Sequence, residues 1–303
     1  MIKINIIIKK YRYHFIGFLT MAAILIWLPI ISYGNDGLKA WFFDVGQGDA
    51  EFLDFFDGTQ ILIDGGPDGS VLQKLGKAMP FYDKNIDLVV LTHPHKDHVF
   101  GLVEVLKRYK VRKIILPKVD FESPFYREFL NEAKSKNISL EYLSEGDFIR
   151  IGDFAELDFI NPSAGSKLDR DIFYSKNESF GLSGQQLNDT SLVFKLVFGG
   201  ISALFTGDAG FDVEDNILLQ KYNLKADILK VGHHGSKYSS SEDFLKLINP
   251  KHAVIEVGKN NKYGHPTEKT INSILNIGAK ILRTDVNGDI LFKSNGSDMV
   301  LTN

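Results

Sequence analysis

The chain has 303 residues, 44% hydrophobic and 24% charged, with a formal net charge of −3 and no cysteine. This composition supports a buried core and excludes a disordered chain, and the near-neutral charge excludes wrapping of nucleic acid by bulk electrostatics while leaving room for a local basic patch. Without cysteine there is neither disulfide nor thiolate, so any metal must be held by His, Asp and Glu.

The chain opens on a basic segment. Lys9, Lys10 and Arg12 precede an uncharged run of 19 residues, Phe15 to Tyr33, and a helix of about 20 residues crosses a bilayer core. The run is apolar on every face and is interrupted only by Gly17 and Pro29, which membrane helices tolerate. The expectation is a single transmembrane helix. Residues 1–35 then form a cytoplasmic stub and anchor in the cytoplasmic membrane, and residues 36–303 a domain outside it. The competing expectation is a signal peptide cleaved near Ile31-Ser32-Tyr33-Gly34, with a secreted domain.

From Leu38 the pattern changes. Leu38–Val45 reads as a strand, and Asp44-Val45-Gly46-Gln47-Gly48-Asp49 as a glycine-broken turn. Two further strands, Ala50–Phe56 and Thr59–Ile63, join through Asp57-Gly58. The third ends in Asp64-Gly65-Gly66, where glycine permits positive φ and close backbone approach. Residues 69–79 look helical. The run Ile86–Leu91 then leads into Thr92-His93-Pro94-His95-Lys96-Asp97-His98, and a helix is expected from about Val99 to Tyr109. The strand Lys113–Pro117 follows, and Ser123-Pro124 opens a helix to about Lys136. Short strands fill 138–163. A polar, glycine-rich stretch from Ser163 to Asp189 is long enough to suggest a functional loop. Its Lys167, Arg170, Phe173, Tyr174 and Lys176 suit a phosphate backbone and stacked bases, or an ordinary solvated loop.

The second half repeats the scheme. A hairpin, Ser191–Phe198 and Ile201–Phe205, ends in Thr206-Gly207-Asp208. Helix 211–222, strand Asp227–Val231, helix 241–248 and strand His252–Val257 follow, and then helix 267–277 and strands 280–285 and 289–293. Strand–helix alternation given twice calls for an α/β fold in which two helix-covered sheets face each other, a four-layer αβ/βα sandwich. Asp64, His93, Asp208 and His233 all sit at carboxyl ends of predicted strands, where α/β folds carry their sites.

Three histidines and an aspartate within six residues, His93 to His98, are the donors a borderline-soft divalent metal such as Zn²⁺ requires. His93 and His95 point to one side of an extended chain, and Asp97 and His98 fall on the following turn. Two metals roughly 3.5–4 Å apart make a hydrolytic site, and they need a bridging carboxylate, for which Asp208 is placed. One metal is expected on His93 and His95. The second is expected on Asp97 and His98, completed by one of His233 and His234. Adjacent residues in extended chain point oppositely, so the other would orient substrate or donate a proton. Which histidine takes which role stays open. The candidate catalytic groups are Asp97, His234 and His265, while His14 and His252 read as structural or surface residues.

His93-Pro94-His95-Lys96-Asp97-His98 resembles the HxHxDH motif of the metallo-β-lactamase fold hydrolases. Thr206-Gly207-Asp208 looks like their bridging-aspartate motif, and residues 232–236 like their downstream histidine motif. Asp44-Val45-Gly46-Gln47-Gly48-Asp49, Leu62-Ile63-Asp64-Gly65-Gly66, Val231-Gly232-His233-His234-Gly235-Ser236 and Tyr263-Gly264-His265-Pro266 together resemble the metallo-hydrolase domain of ComEC-type competence proteins, over about residues 38–295. The resemblance implies two divalent metals, Zn²⁺ or alternatively Mn²⁺. It also implies Asp44, Gln47, Asp49, Asp64, Asn188 and Ser236 as residues that orient ligands or meet substrate.

Two departures bear on function. Many superfamily members place another metal-binding histidine where this chain reads Asn188-Asp189-Thr190-Ser191, and ComEC-like domains are similar in lacking it. This makes a lactamase the weaker reading. Full ComEC-type proteins also carry a polytopic channel, whereas this chain offers one membrane segment at most, so a separate channel partner is implied. The resemblance points to phosphodiester hydrolysis, on single-stranded DNA during uptake or on small phosphodiesters of the phosphocholine-esterase kind. The rival is a non-catalytic DNA-binding or assembly subunit.

Overall fold

The computed structural model describes residues 11, 13–23, 37–163 and 182–302. Residues 13–23 form a helix, α1, on which Tyr13, Phe15, Ile16, Phe18, Leu19 and Met21 are exposed. The rest of the expected membrane run lies outside the described residues. Among the described residues no helix is long and apolar enough to cross a membrane. Most of the Ser163–Asp189 loop, including its basic and aromatic residues, likewise lies outside them.

The first half of the domain runs β1 (Leu38–Phe42), β2 (Glu51–Phe55), β3 (Gln60–Ile63), α2 (Ser70–Ala78), β4 (Asn85–Val90), α3 (Lys96–Arg108), β5 (Lys110–Leu116), α4 (Pro124–Ser135) and β6 (Ser139–Tyr142). The second half runs β7 (Phe148–Ile151), β8 (Ala155–Asn161), α5 (Gly184–Asn188), β9 (Val193–Phe198), β10 (Ile201–Phe205), α6 (Phe211–Gln220), β11 (Ile228–Lys230), α7 (Glu242–Ile248), β12 (His252–Ile255), α8 (Glu268–Asn276) and β13 (Lys280–Arg283). The chain closes with α9 (Thr284–Asn287), β14 (Ile290–Ser294) and β15 (Met299–Thr302). The sheets have the orders β15-β14-β1-β2-β3-β4-β5-β6 and β13-β12-β11-β10-β9-β8-β7. The last two strands therefore leave the second half and join the first sheet, where β14 pairs antiparallel with β1.

Side-chain alternation builds four layers. Ile61 and Ile63 face the apolar layer between the sheets, together with Phe42, Leu53, Phe159, Phe194, Phe205 and Ile228. Leu62, between them in sequence, faces the opposite way and packs with Val71, Leu75, Leu102 and Phe129 from α2, α3 and α4. On the other side, Val193, Leu204 and Leu229 meet Val213, Ile217, Phe244 and Ile274 from α6, α7 and α8. This is the expected αβ/βα sandwich, built on two mixed sheets.

Three differences from the sequence expectation bear on the site, besides an unexpected α9 and an unexpected last strand, β15. Helix α3 begins at Lys96, not Val99, so Asp97 and His98 lie in its first turn, where an acidic side chain suits the positive end of the helix. The polar residues of that turn carry no apolar repeat, which is why periodicity misses it. Second, Ser183 and Gln186 form a reciprocal capping box that starts α5 inside the expected loop. Third, His233 and His234 are not extended: both are left-handed, φ 47° and 51°, within a tight 3₁₀ turn, Gly232–Gly235.

Candidate metal centre

The centre lies where the carboxyl ends of β4, β10 and β11 from the two sheets meet. The approach of α3 to the first sheet is unusually close. A Cβ on Gly101 would lie 1.7 Å from Gly65 O, and one on Gly65 would lie 2.4 Å from Leu102 N. Only glycine at both positions lets the first turn of α3 drop beside Asp64, and this seats His98 against the end of β3.

Asp208 stands at the middle. Its Oδ2 is 3.8 Å from His93 Nε2, 3.5 Å from His98 Nε2, 3.8 Å from His234 Nε2 and 3.9 Å from His233 Nε2. Imidazole nitrogens converge on one carboxylate oxygen at separations too long for good hydrogen bonds. His93 Nε2 and His95 Nδ1 are 3.0 Å apart, and His234 Nε2 is 3.5 Å from Asp97 Oδ2. Two adjoining donor sets result, His93, His95 and Asp208 on one side and Asp97, His98 and His234 on the other, the donor atoms within each lying no more than 4.8 Å apart. His98 Nε2, His234 Nε2 and Asp208 Oδ1 are buried without a hydrogen-bond partner. Burial of polar atoms that nothing satisfies is costly, and divalent cations at these two sets would satisfy all of them. The donor chemistry therefore fits a pair of divalent metals.

A layer of buried groups fixes the ring orientations. Asp64, itself left-handed at φ 52°, accepts from Thr92 N at 2.8 Å and from Thr92 Oγ1 at 2.6 Å, and its Oδ2 is 2.7 Å from His98 Nδ1. Thr92 Oγ1 is in turn 3.1 Å from His93 Nδ1. One carboxylate thereby holds the Nδ1 side of two histidines, directly and through a hydroxyl, and leaves both Nε2 atoms for the centre. On the other half, His234 Nδ1 lies 2.9 Å from the backbone oxygen of Glu256 and 3.2 Å from Asp49 Oδ1. Asp49 is anchored by Lys230, whose Nζ is 2.5 Å from Asp49 Oδ2 and also donates to Val231 O at 3.1 Å. Ser191 Oγ accepts from Asp208 N at 3.1 Å.

Electrostatics divide the histidines. Burial, followed by the neighbouring His98, holds the proton affinity of His93 well below the usual range, and burial also lowers that of His95. Burial opposes charge on His98 and His234 too. There Asp208 and a second carboxylate prevail, Asp64 for His98 and Asp49 for His234, and both are raised well above normal. Asp208 is held well below the carboxylate range by His234 and His98 against the effect of burial. The carboxylates around His98 and His234 therefore favour the protonated form of both rings when no cation is bound. His265 is pushed down to about 4 by burial and by His233 and His234, which favours its uncharged form near neutrality.

The structure brings His93, His95, Asp97, His98, Asp208 and His234 together. His233 belongs to neither donor set although its Nε2 is 3.9 Å from Asp208 Oδ2; its side chain is 24% exposed and its ring nitrogens lie 3.4 Å from Asn188 Nδ2. His265 lies behind it, ring centroids 5.7 Å apart. Gln47 meets neither set and instead accepts from Gly258 N at 3.1 Å. Asp44 caps its own turn through Gly46 N at 3.3 Å, and Ser236 Oγ accepts from Tyr238 N at 3.3 Å within the histidine turn. His252 packs edge-on against Phe292 on β14, 5.2 Å between centroids. Thr92, Lys230, Glu51 and Glu256 are missing from the sequence reading. Lys230 has a legible signal, being a charged residue two positions after Ile228 in an apolar strand and so on the face turned toward the inter-sheet layer.

The sequence profile of the metallo-beta-lactamase superfamily matches residues 44–258. ComE operon protein 3 of Bacillus subtilis (strain 168) is 32% identical over 267 residues, covering 82% of this chain and 32% of that protein. Competence protein ComA of Neisseria gonorrhoeae is 43% identical over 107 residues, covering 35% of this chain and 15% of that one. The chain thus spans a third or less of the length of these relatives. Among solved structures, the metallo-beta-lactamase fold protein YhfI from Bacillus subtilis superposes with a TM-score of 0.55 at 11% identity, covering 85% of this chain and all (100%) of that one. That likeness concerns the fold.

Proposed function

The chain belongs to the metallo-β-lactamase superfamily, in its ComEC-like branch, and from that premise we propose that it is a two-metal phosphodiesterase that cleaves DNA during uptake. The observation that carries the reading is the position of Asp208 Oδ2, within 3.8 Å of imidazole nitrogens from both donor sets. One carboxylate is thereby shared between two sites. His93, His95 and Asp208 would hold one metal, and Asp97, His98, His234 and Asp208 the other, with Zn²⁺ the first expectation and Mn²⁺ the alternative. A metal pair of this kind, when bound, polarises a phosphoryl oxygen and supplies a nucleophilic water near neutral pH.

The protein's own groups do the rest. Asp64 and Asp49 hold the rings of His98 and His234 with Nε2 free. His233, outside both donor sets and partly exposed, is placed to orient the phosphate or pass a proton to the leaving oxygen. Asn188 stands beside it, at the place where many superfamily members carry a further metal-binding histidine, and this favours a phosphodiester over a β-lactam. The likeness to a competence protein supports DNA uptake as the setting, and on this reading DNA is the substrate and a membrane channel the partner. On the same reading the domain works outside the cytoplasmic membrane, held by the segment containing Phe15 to Tyr33; release of the domain as a soluble, shortened protein on fractionation would reverse that placement.

The test is metal content and turnover of the purified chain. We expect two divalent ions per chain and hydrolysis of both bis-p-nitrophenyl phosphate and single-stranded DNA. A metal-free, inactive protein that still binds DNA would replace the enzyme by a binding subunit.

A further inference from the structure

We infer that Tyr263 forms a base-stacking subsite beside the metal centre, for the nucleotide adjoining the phosphate that is cut. The inference rests on the phosphodiesterase reading for its substrate and on separate observations for its geometry. Tyr263 is 67% exposed, yet its loop is tightly braced. Asn261 Nδ2 donates to Gly258 O at 3.1 Å and to His265 O at 2.6 Å, while Asn261 Oδ1 accepts from Tyr263 N and His265 N, each at 3.1 Å. One end of the loop is tied to Gln47 through Gly258, where a Cβ would lie 2.6 Å from Gln47 N. The other end is tied to the histidine turn, with Thr267 N donating to Gly235 O at 2.9 Å. The two motifs that surround the centre thus hold this loop in place.

The rings on it form a stair. Tyr263 lies nearly parallel to His265, 6.0 Å between centroids and 15° between planes. His265 is 5.7 Å from the ring of His233, and His233 Nε2 is 3.9 Å from Asp208 Oδ2. The steps lead from solvent to the shared carboxylate. An exposed aromatic ring on a loop whose backbone is braced by four hydrogen bonds of one asparagine, and stacked on an imidazole, contributes little to the core. It offers a flat, pre-ordered face at low entropic cost. Such faces bind nucleobases with little regard to sequence. Lys259 and Lys262, both exposed on the same loop, supply positive charge for the flanking phosphates, in a chain whose overall charge gives none.

The experiment compares binding of a thymidine tetranucleotide with that of an abasic tetranucleotide of equal charge, by fluorescence anisotropy on the full metal-loaded chain. One stacked base is worth about 1–3 kcal/mol, roughly a 5- to 150-fold preference for the base-bearing strand. We expect Tyr263→Ala to collapse that preference toward unity and Tyr263→Trp to keep it. Equal binding of the two strands by the unmodified protein, no binding of either, or a preference that survives Tyr263→Ala would each overturn the subsite. Turnover of the same strands separates it from the reading beneath. A base preference erased by Tyr263→Ala without cleavage of either strand would leave the subsite standing and remove the phosphodiesterase. Cleavage of both strands with no base preference would do the opposite.

Discussion

Replacing Lys230 by methionine gives the sharpest test of how the centre is supported. The Lys230 side chain is fully buried, and its ammonium lies 2.5 Å from Asp49 Oδ2, beside the cluster of Asp49, Glu51 and Glu256, whose donor atoms lie within 4.8 Å of one another. Burial and then Asp49 already push Glu256 up to about 8, and burial and then Glu256 raise Glu51 well above its ordinary value. Methionine keeps the length of the stem and removes the charge. Stripping one partner from a buried ion pair costs about 3–5 kcal/mol, a large share of the roughly 5–15 kcal/mol that holds a domain together. With a urea slope of about 3 kcal/mol/M, the unfolding midpoint of the metal-free chain should fall by about 1–1.7 M. The deficit has a pH signature. A carboxyl whose folded pKa is raised contributes stability fully below its unfolded value, 4.5 for Glu256, and loses it as pH rises through the folded value of about 8. Lys230→Met should therefore be less damaging near pH 6 than near pH 9, and adding Glu256→Gln, which keeps an oxygen for Ala50 N, should recover part of the loss. Urea titrations followed by circular dichroism at the two pH values decide it. A midpoint unchanged at both, or a double variant no better than the single, would refute the role given to the lysine.

Asp208→Ala should lower metal content and reduce phosphodiester turnover beyond the roughly 10- to 100-fold typical of residues that merely orient ligands; an active variant with two metals would dismiss the shared carboxylate. Asp64→Asn keeps the size of the side chain but weakens the hold on His98 and, through Thr92, on His93. Metal affinity measured by competition with a chelator should drop about 10- to 100-fold, and unchanged affinity would break the relay. Because His98 and His234 are raised well above the usual imidazole range, the metal-free chain carries protons on them near neutrality. Metal binding should expel those protons and tighten as pH rises. Calorimetry of metal binding in buffers of different ionisation enthalpy should show net proton release, whereas none would mean that the second set is already uncharged. His252→Ala should leave turnover near normal, since His252 packs on Phe292; a large loss would relocate the site.

The sandwich is legible in sequence because alternation and helical repeat are read off local spacing, and a metal cluster needs donor side chains in density that chance does not supply. His93 to His98 satisfies that condition alone. What local spacing cannot convey is pairing across long separations. β14 looks like the end of the second half, but it pairs antiparallel with β1, from Leu38↔Ser294, 256 residues apart, to Phe42↔Ile290, 248 residues apart. The choice between His233 and His234 depends on two left-handed residues, and an extended-chain assumption cannot supply it. The buried carboxylates escape for a related reason. Glu51 and Glu256 are ordinary strand-end acids until β2 and β12 are brought face to face, and only then does Lys230 acquire its partners.

The donor sets also straddle the seam between the two sheets. His93, His95, Asp97 and His98 follow β4 in the first sheet, whereas Asp208 and His234 follow β10 and β11 in the second. Neither half of the chain carries a complete set, so high-affinity ion capture requires that both have already docked. A bound ion would then act as a rivet across the sandwich, adding stability that grows with the logarithm of its free concentration over its dissociation constant. Chelation should loosen the two halves from each other before it melts either, and limited proteolysis should expose that weakness in the connection between β6 and β7.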